Sequence, residues 1–444
     1  MPPPLSNIER LIKLMDKDEG KFAVEGHQVM VGRLAMRLKN GMPWHPHDGA
    51  YITVLLPEVT ISTHTEIDQA EEEIILPLQQ IYTGRKPVIS ASLADTPCTT
   101  FGAPHLLDPL NLILGTSYTM DTPLLPSLLE DCITKEYDFG TAYGCLHAVW
   151  HTLDWNTVWD KLCGCEAEDQ TVRRKAVHGN GSVDSDMYPW HVWDLYSNRV
   201  VPIWTTGKIE PHPISHAWVD ENDRMDVWTP INGREWPVPI LKNANLNLIR
   251  IEMLNNGLEY VWLDVLCLRQ KGGLREDLCA EEWKLDVPTI GWVYERTKMH
   301  CYLKDYFDSD CCWFNHAWTL QEIRCNGYAI CRVTPNGPLN AKPDKDSNYD
   351  TQVLTTFHQK LQSLKRLTIQ KFDVLEEMRR RVLMNPVDKI AGMAMLLRSP
   401  RIPAYYESQS LEDAWTAFMN TASRYIQVDL FFKYPEPGNA SAKW

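Results

Sequence analysis

A nearly continuous apolar run lies in the middle of the chain. The sequence at positions 260–268 is YVWLDVLCL, in which one acid stands among eight apolar side chains. Such a run is typical of a central strand of a parallel sheet, because helices cover both faces of that sheet. Gly272 and Gly273 then end the pattern. We predict a buried strand over 260–268, with Asp264 inside it, and a loop after it.

Strand and helix patterns alternate around this run. The predicted strands cover 213–218, 300–303 and 328–333, and the predicted helices cover 243–256, 281–296 and 313–324. Alternation at this spacing predicts a small α/β domain with a mostly parallel sheet. We place this domain at residues 191–335.

Mainly helical regions are predicted on both sides of the α/β domain. Residues 1–190 form the first, with apolar side chains at helical spacing over 1–40, and residues 336–444 form the second. The polar, Gly-containing stretch 166–190 predicts a linker or a long surface loop. Three domains agree with a length of 444 residues, at roughly 100–200 residues per domain.

Composition excludes several classes of protein. The chain carries 58 acidic and 44 basic residues, for a net charge of −14, and no segment supplies the basic face of a nucleic-acid binder. Its two short basic runs, 173–175 and 379–381, follow acids on predicted helices, so we interpret them as solvated helix faces. No apolar stretch approaches the roughly 18 residues of a membrane span, and no signal peptide is apparent.

The 12 cysteines predict reduced thiols. Their spacing matches neither a disulfide framework nor a zinc site, which needs two ligand pairs at spacings of two to four residues. We therefore expect a cytoplasmic protein without a bound metal.

Two features carry polar side chains that suit a binding site. Asp264 lies where the carboxyl end of a strand would line a ligand crevice, with Arg269 shortly after it; it can equally cap the following loop. Trp318 and Glu322 lie four residues apart, and on a helix they share a face. An aromatic platform beside a carboxylate suits a sugar with paired hydroxyls, although a core tryptophan and a salt-bridged glutamate have the same spacing.

Three blocks resemble the fungal heterokaryon incompatibility (HET) domain, of the basidiomycete type. They are ISHAW at 214–218, YVWLDVLCLRQ at 260–270 and WFNHAWTLQEI at 313–323, in the order that the family has. The flanking WDLYS at 193–197 and VDKIA at 387–391 are also similar to sequences around that domain. The family usually has an arginine before the Ala-Trp pair, where this chain has Asn315 and His316; histidine is mostly neutral at pH 7.

The resemblance implies a fold, an activity and a set of site residues. HET domains are similar to the TIR fold, a small flavodoxin-like sheet, and several TIR domains hydrolyse NAD to release nicotinamide. Glu322 corresponds to the essential TIR glutamate and is the expected catalytic residue. The substrate-binding residues implied are Ser215, Trp218, Asp264, Arg269 and Trp318.

The resemblance also implies a biological role. HET proteins are implicated in fungal self/non-self recognition and programmed cell death. NAD would be a substrate, so no cofactor is expected, and the partners would be other proteins of the incompatibility pathway. Self-association is expected, because TIR sites are usually completed by a neighbouring subunit. The alternative is a non-catalytic HET module that signals by self-association, with Glu322 as a structural salt-bridge partner.

Overall fold

The structure is a computed structural model, and it describes part of the chain. The described residues are 82, 84–152, 154–179, 181–207, 209–216, 224–242, 244–297, 299–302, 313–323, 328–331, 352–367, 371–381, 385–397, 399 and 401–433. The helix predicted in 1–40 and the expected substrate-binding residue Trp218 lie outside the described residues. The chain divides into two compact units, Met1–Glu58 and Val59–Trp444, and every described residue belongs to the second.

Eleven strands are found in the described residues. In chain order they are β1 (Val177–His178), β2 (Ser182–Asp184), β3 (His191–Asp194), β4 (Arg199–Pro202), β5 (His212–Ser215), β6 (Arg224–Val227), β7 (Val238–Leu241), β8 (Tyr260–Trp262), β9 (Met299–Tyr302), β10 (Tyr328–Cys331) and β11 (Arg401–Pro403). Six of them form the main sheet, in the order β10-β9-β5-β8-β3-β4. The others form a small sheet, β1-β2-β11, and the β6-β7 hairpin.

The described residues also form fifteen α-helices. In chain order they are α1 (Ala91–Ala94), α2 (Gly102–Leu114), α3 (Leu125–Thr134), α4 (Phe139–Leu146), α5 (Val158–Ala176), α6 (Leu246–Asn255), α7 (Asp264–Cys267), α8 (Glu276–Asp286), α9 (Ile290–Arg296), α10 (Thr319–Glu322), α11 (Gln352–Leu367), α12 (Lys371–Arg380), α13 (Val387–Ala394), α14 (Leu411–Thr421) and α15 (Arg424–Lys433). The prediction of a mixed α/β protein is confirmed. Within the described part of the chain, no helix is long and apolar enough to span a membrane.

The main sheet has a parallel part and an antiparallel edge. Strand β5 pairs in parallel with β8 on one side and with β9 on the other, and β9 pairs in parallel with β10. Strand β3 runs antiparallel to both β8 and β4. Among the parallel strands, the first in the chain, β5, lies between the second and the third. The order therefore reverses direction at β5, and ligands bind outside the carboxyl ends of the strands at such a point.

The strand predicted over 260–268 is shorter in the structure. Strand β8 ends at Trp262, and α7 begins at Asp264, whose Oδ1 accepts a hydrogen bond from the Val265 amide at 2.7 Å. The Leu263 carbonyl accepts the Leu266 and Cys267 amides at 2.9 and 2.7 Å. The apolar run is continuous because strand and helix are both buried, so apolarity alone did not separate them.

The predicted linker at 166–190 is wrong. Its first half belongs to α5, and β1 and β2 follow. Arg173 is buried on α5, where its Nε donates to Asp169 at 2.8 Å and its Nη2 to the Pro189 carbonyl at 2.9 Å. Arg381 is likewise buried, so neither basic run is entirely a solvated face. Polar composition misled here because ion pairs and carbonyl partners allow charged side chains to be buried.

The larger of two hydrophobic clusters extends through the described residues. It includes Leu106 from the N-terminal helices, Trp262 from the sheet and Phe418 from the C-terminal helices. The boundaries at residues 190 and 335 stay a prediction, because all three regions contribute to the same core.

Candidate functional site

Glu322 is held by two side chains from different elements. Ser215 ends β5, and its hydroxyl donates a hydrogen bond to Glu322 Oε2. Trp313 lies in a short 3₁₀ turn before α10, and its Nε1 donates to Glu322 Oε2 at 2.9 Å and to Ser215 Oγ at 2.8 Å. All three residues are buried. These bonds fix the orientation of the carboxyl group beside the end of the central parallel strand.

The environment of Glu322 changes its acidity. Burial raises the pKa of Glu322 to about 7 against the opposing hydrogen bonds from Ser215 and Trp313, and the charge of Asp264 raises it further. A carboxyl group that titrates near neutral pH in a cavity is a candidate functional group, because small changes in its surroundings switch its charge.

A cavity of about 140 Å³ opens beside Glu322. Its lining residues are Trp262, Asp264, Leu268, Gln270, Trp283, Val287, Ile290, Tyr294, Trp318, Glu322, Asp388 and Tyr405. A cavity of roughly 150 Å³ holds one benzene molecule, so this one has room for a single six-membered ring. We call it the ring cavity. Its walls combine aromatic side chains with three carboxyl groups.

Asp264 lies at the cavity wall and also organises the chain after β8. Its Oδ1 accepts the Val265 amide and lies 2.8 Å from Nε2 of His216, the residue that follows β5. The two roles considered for Asp264, local capping and ligand contact, are therefore compatible in one position. The His216–Asp264 contact joins the ends of neighbouring parallel strands.

The structure brings together most of the expected site residues that it describes. Trp318, Asp264 and Glu322 line the ring cavity. Ser215 does not line it, but its hydroxyl donates a hydrogen bond to Glu322. Trp318 and Glu322 both line the cavity, although α10 begins only after Trp318.

Arg269 does not line the ring cavity. Its Nε donates to Glu282 Oε1 at 3.0 Å, its Nη1 lies 2.8 Å from Glu235 Oε2, and its guanidinium carbon lies 4.6 Å from the ring centroid of Trp236. A buried arginine needs such carboxylate partners, and they lie away from the cavity. The expected role of Arg269 in substrate binding is therefore not supported by its position, and Gln270 occupies the wall instead.

Asp388 and Tyr405 line the cavity but were not predicted from the sequence as site residues. Asp388 is in α13, and the Tyr405 hydroxyl donates to its Oδ1 at 2.8 Å. Burial raises the pKa of Asp388 to about 6, and hydrogen bonds from Tyr405 and Trp318 oppose that rise. The sequence marked 387–391 only as a flank, and no short motif indicated that it folds back onto α10.

His316 directly precedes the Ala317-Trp318 pair. Burial lowers the pKa of His316 to about 4, with a further contribution from the charge of Arg381, so its imidazole is neutral at pH 7. Arg381 comes from the end of α12, and its Nη1 donates to the His316 backbone carbonyl at 2.8 Å. A permanent cation thus lies beside this motif, supplied by the C-terminal region and paired with Glu377 at 3.0 Å.

Among the described residues, no group of three or more His, Cys, Asp or Glu side chains could hold a metal ion. Comparison of the chain with models of protein families, with curated proteins and with solved structures finds no match in any of the three.

The raised pKa of Glu322 predicts a pH-dependent stability. Its ordinary pKa of 4.5 applies to the unfolded chain, and its folded value is about 7, so the folded chain binds more protons between these values. The contribution of Glu322 to the free energy of unfolding is therefore complete below about pH 4.5 and is lost as the pH rises through 7. Glu322→Gln removes this contribution. We expect the unfolding free energy of the wild type, relative to the variant, to fall by roughly 2–3 kcal/mol from pH 5 to pH 8.

This change is measured by urea denaturation of both proteins at each pH. Subtracting the variant removes the contributions of the other titrating groups, which include Glu282, Asp286 and His191. A difference that does not change with pH would show that the Glu322 carboxyl group is not protonated more readily in the folded chain.

Proposed function

We propose that this is a HET-domain protein of fungal self/non-self recognition and programmed cell death that hydrolyses NAD to nicotinamide and ADP-ribose. The observation that carries the proposal is the placement of Glu322, buried at the wall of a ring-sized cavity and held by Ser215 and Trp313. Trp318, the aromatic residue of the same motif, lines that cavity. The hydrogen bonds described for the Glu322 carboxyl group come from a serine and a tryptophan, which does not favour a structural pair with arginine.

The order of the parallel strands supports the proposed TIR-like fold. In chain order they are β5, β8, β9 and β10, and across the sheet they lie as second, first, third and fourth. This is the beginning of the flavodoxin-like order, 2-1-3-4-5, in which the ligand crevice lies between the first and third strands. Ser215 ends the first of these strands, so the Glu322 carboxyl group lies near the expected crevice.

In the proposed reaction, the positively charged nicotinamide ring of NAD occupies the ring cavity. The bond between ribose C1′ and the ring nitrogen breaks, its electron pair passes to the nitrogen, and neutral nicotinamide leaves. The ribose then carries an oxocarbenium-like charge, which the Glu322 carboxylate stabilises while accepting hydrogen bonds from the sugar hydroxyls. Water adds to C1′ and releases its proton to solvent, giving ADP-ribose.

The remainder of NAD is too large for the ring cavity. A second cavity of about 440 Å³ shares Gln270 with the first, and its lining includes Arg224 and Lys271. In the proposed complex this second cavity receives the ADP-ribose portion of NAD.

The experiment is nicotinamide release from NAD by the purified full-length chain, followed by chromatography. It is run at high protein concentration and with a crowding agent, because we also propose that the site is active in a self-associated state in the cytoplasm. Release of equal amounts of nicotinamide and ADP-ribose is the expected result. No release from folded, self-associated protein would contradict hydrolysis and favour the non-catalytic signalling module.

A further inference from the structure

Part of the lining of the ring cavity comes from the C-terminal region of the chain. Asp388 and Tyr405 line the same cavity as Glu322, yet they lie outside the segment that carries the three HET-like blocks. What they contribute to ligand recognition rests on the proposed function, since the ligand considered is the ring that NAD hydrolysis would release.

The Asp388 carboxyl group is held in a fixed position. Tyr405 donates its hydroxyl to Oδ1 at 2.8 Å, and the Trp318 indole forms a further hydrogen bond with this carboxyl group. Asn385 lies behind them, with its Nδ2 at 3.4 Å from the Tyr405 hydroxyl. A carboxylate has about four acceptor positions, so two donors leave capacity for an N–H group of a ligand.

The charge of the cavity distinguishes between related rings. Asp264, Glu322 and Asp388 contribute carboxyl groups, and none of the described lining residues is a lysine or an arginine. A ligand carboxylate in this cavity would be repelled by the three carboxyl groups. A ligand carboxamide would instead donate an N–H hydrogen bond to Asp388. Discrimination by repulsion of the wrong ligand is a general route to specificity.

We propose that Asp388, positioned by Tyr405, is the specificity-determining residue of the ring cavity, where it accepts a hydrogen bond from a ring carboxamide and rejects the corresponding ring carboxylate. Asp388 thereby selects nicotinamide over nicotinic acid, and it selects NAD over the dinucleotide that carries nicotinic acid. Glu322 acts on the ribose, and Asp388 acts on the substituent of the ring.

The test measures binding of the two small rings rather than turnover. Nicotinamide and nicotinic acid are titrated separately into the full-length wild type, Asp388→Asn and Asp108→Asn, with ligand-observed NMR as the readout. Asp108 is an exposed carboxyl group on α2 and serves as the matched control. Asparagine keeps an acceptor for the Tyr405 hydroxyl and removes the negative charge.

The wild type and Asp108→Asn are expected to prefer nicotinamide by about tenfold or more, and Asp388→Asn to lose most of that preference. Equal binding of both rings by the wild type overturns the inference even if the Asp388 variant does not fold. An unchanged preference in folded Asp388→Asn also overturns it, as does failure of the wild type to bind nicotinamide at millimolar concentrations. Selective binding without NAD cleavage would contradict the proposed hydrolysis alone, and cleavage without the Asp388 effect would contradict this inference alone.

Discussion

Glu322→Gln is expected to slow nicotinamide release from NAD about 1,000-fold, with little change in KM. Glutamine has nearly the same shape and still accepts the Trp313 indole N–H, so the cavity keeps its form. It cannot ionise, however, and the developing positive charge on the ribose loses its counter-charge. Removing one preorganised electrostatic partner of a transition state costs roughly 100- to 1,000-fold in kcat, and a full charge belongs at the upper end.

The measurement is the steady-state rate of nicotinamide release for wild type and variant at matched protein concentration. Glu281→Gln is the control, because Glu281 is an exposed carboxyl group on α8. Its rate is expected to equal that of the wild type. Near-UV circular dichroism verifies that Glu322→Gln is folded. If a folded Glu322→Gln protein keeps the wild-type rate, Glu322 is not the catalytic residue.

The alternating strand and helix pattern predicted one part of the site, the position of Asp264 near the carboxyl end of a parallel strand. Ser215 was expected there only from the resemblance to the HET domain. The same pattern could not separate β8 from α7, because both are buried and apolar. Their boundary depends on the local hydrogen bonds of Leu263 and Asp264.

The rest of the site depends on contacts between distant segments. Asp388 reaches the ring cavity only because α13 packs beside α10, and Tyr405 reaches Asp388 across 17 residues that include β11. Arg173 likewise approaches Asp286, which lies 113 residues further along the chain. Local composition contains no signal for such pairings. Arg269 shows the opposite error, since its place after β8 suggested the cavity, but Glu282 and Glu235 hold it elsewhere.

Arg250→Met is expected to reduce the free energy of unfolding by about 4 kcal/mol or more. Arg250 is buried on α6, and its Nε donates to the Leu195 carbonyl at 2.7 Å. Its Nη2 donates to the carbonyls of Ile89 and Tyr196 at 2.8 and 3.1 Å. One side chain thus connects the N-terminal helical region, through Ile89, to the turn after β3.

Two opposing effects decide the size of this change. The buried guanidinium of Arg250 has lost its hydration, and this cost lowers its pKa to about 10. Arg250→Met removes that cost, which by itself would stabilise the folded chain. The acceptors, however, are backbone carbonyls of buried residues, and no side-chain substitution removes them. Each buried acceptor left without a donor costs about 1–3 kcal/mol. Two carbonyls, those of Leu195 and Ile89, lose their donor, while the Tyr196 carbonyl keeps the Ile89 amide at 3.1 Å. Loss of the donors should therefore outweigh the recovered desolvation.

Methionine is the replacement because it keeps an unbranched apolar stem in the space of the arginine chain. Arg174→Met is the control, since Arg174 is exposed on α5 and its loss should change stability by about 0.5 kcal/mol or less. Urea denaturation followed by tryptophan fluorescence compares both variants with the wild type. If Arg250→Met unfolds at the same urea concentration as Arg174→Met, the Leu195 and Ile89 carbonyls find other donors, and Arg250 does not hold the two regions together.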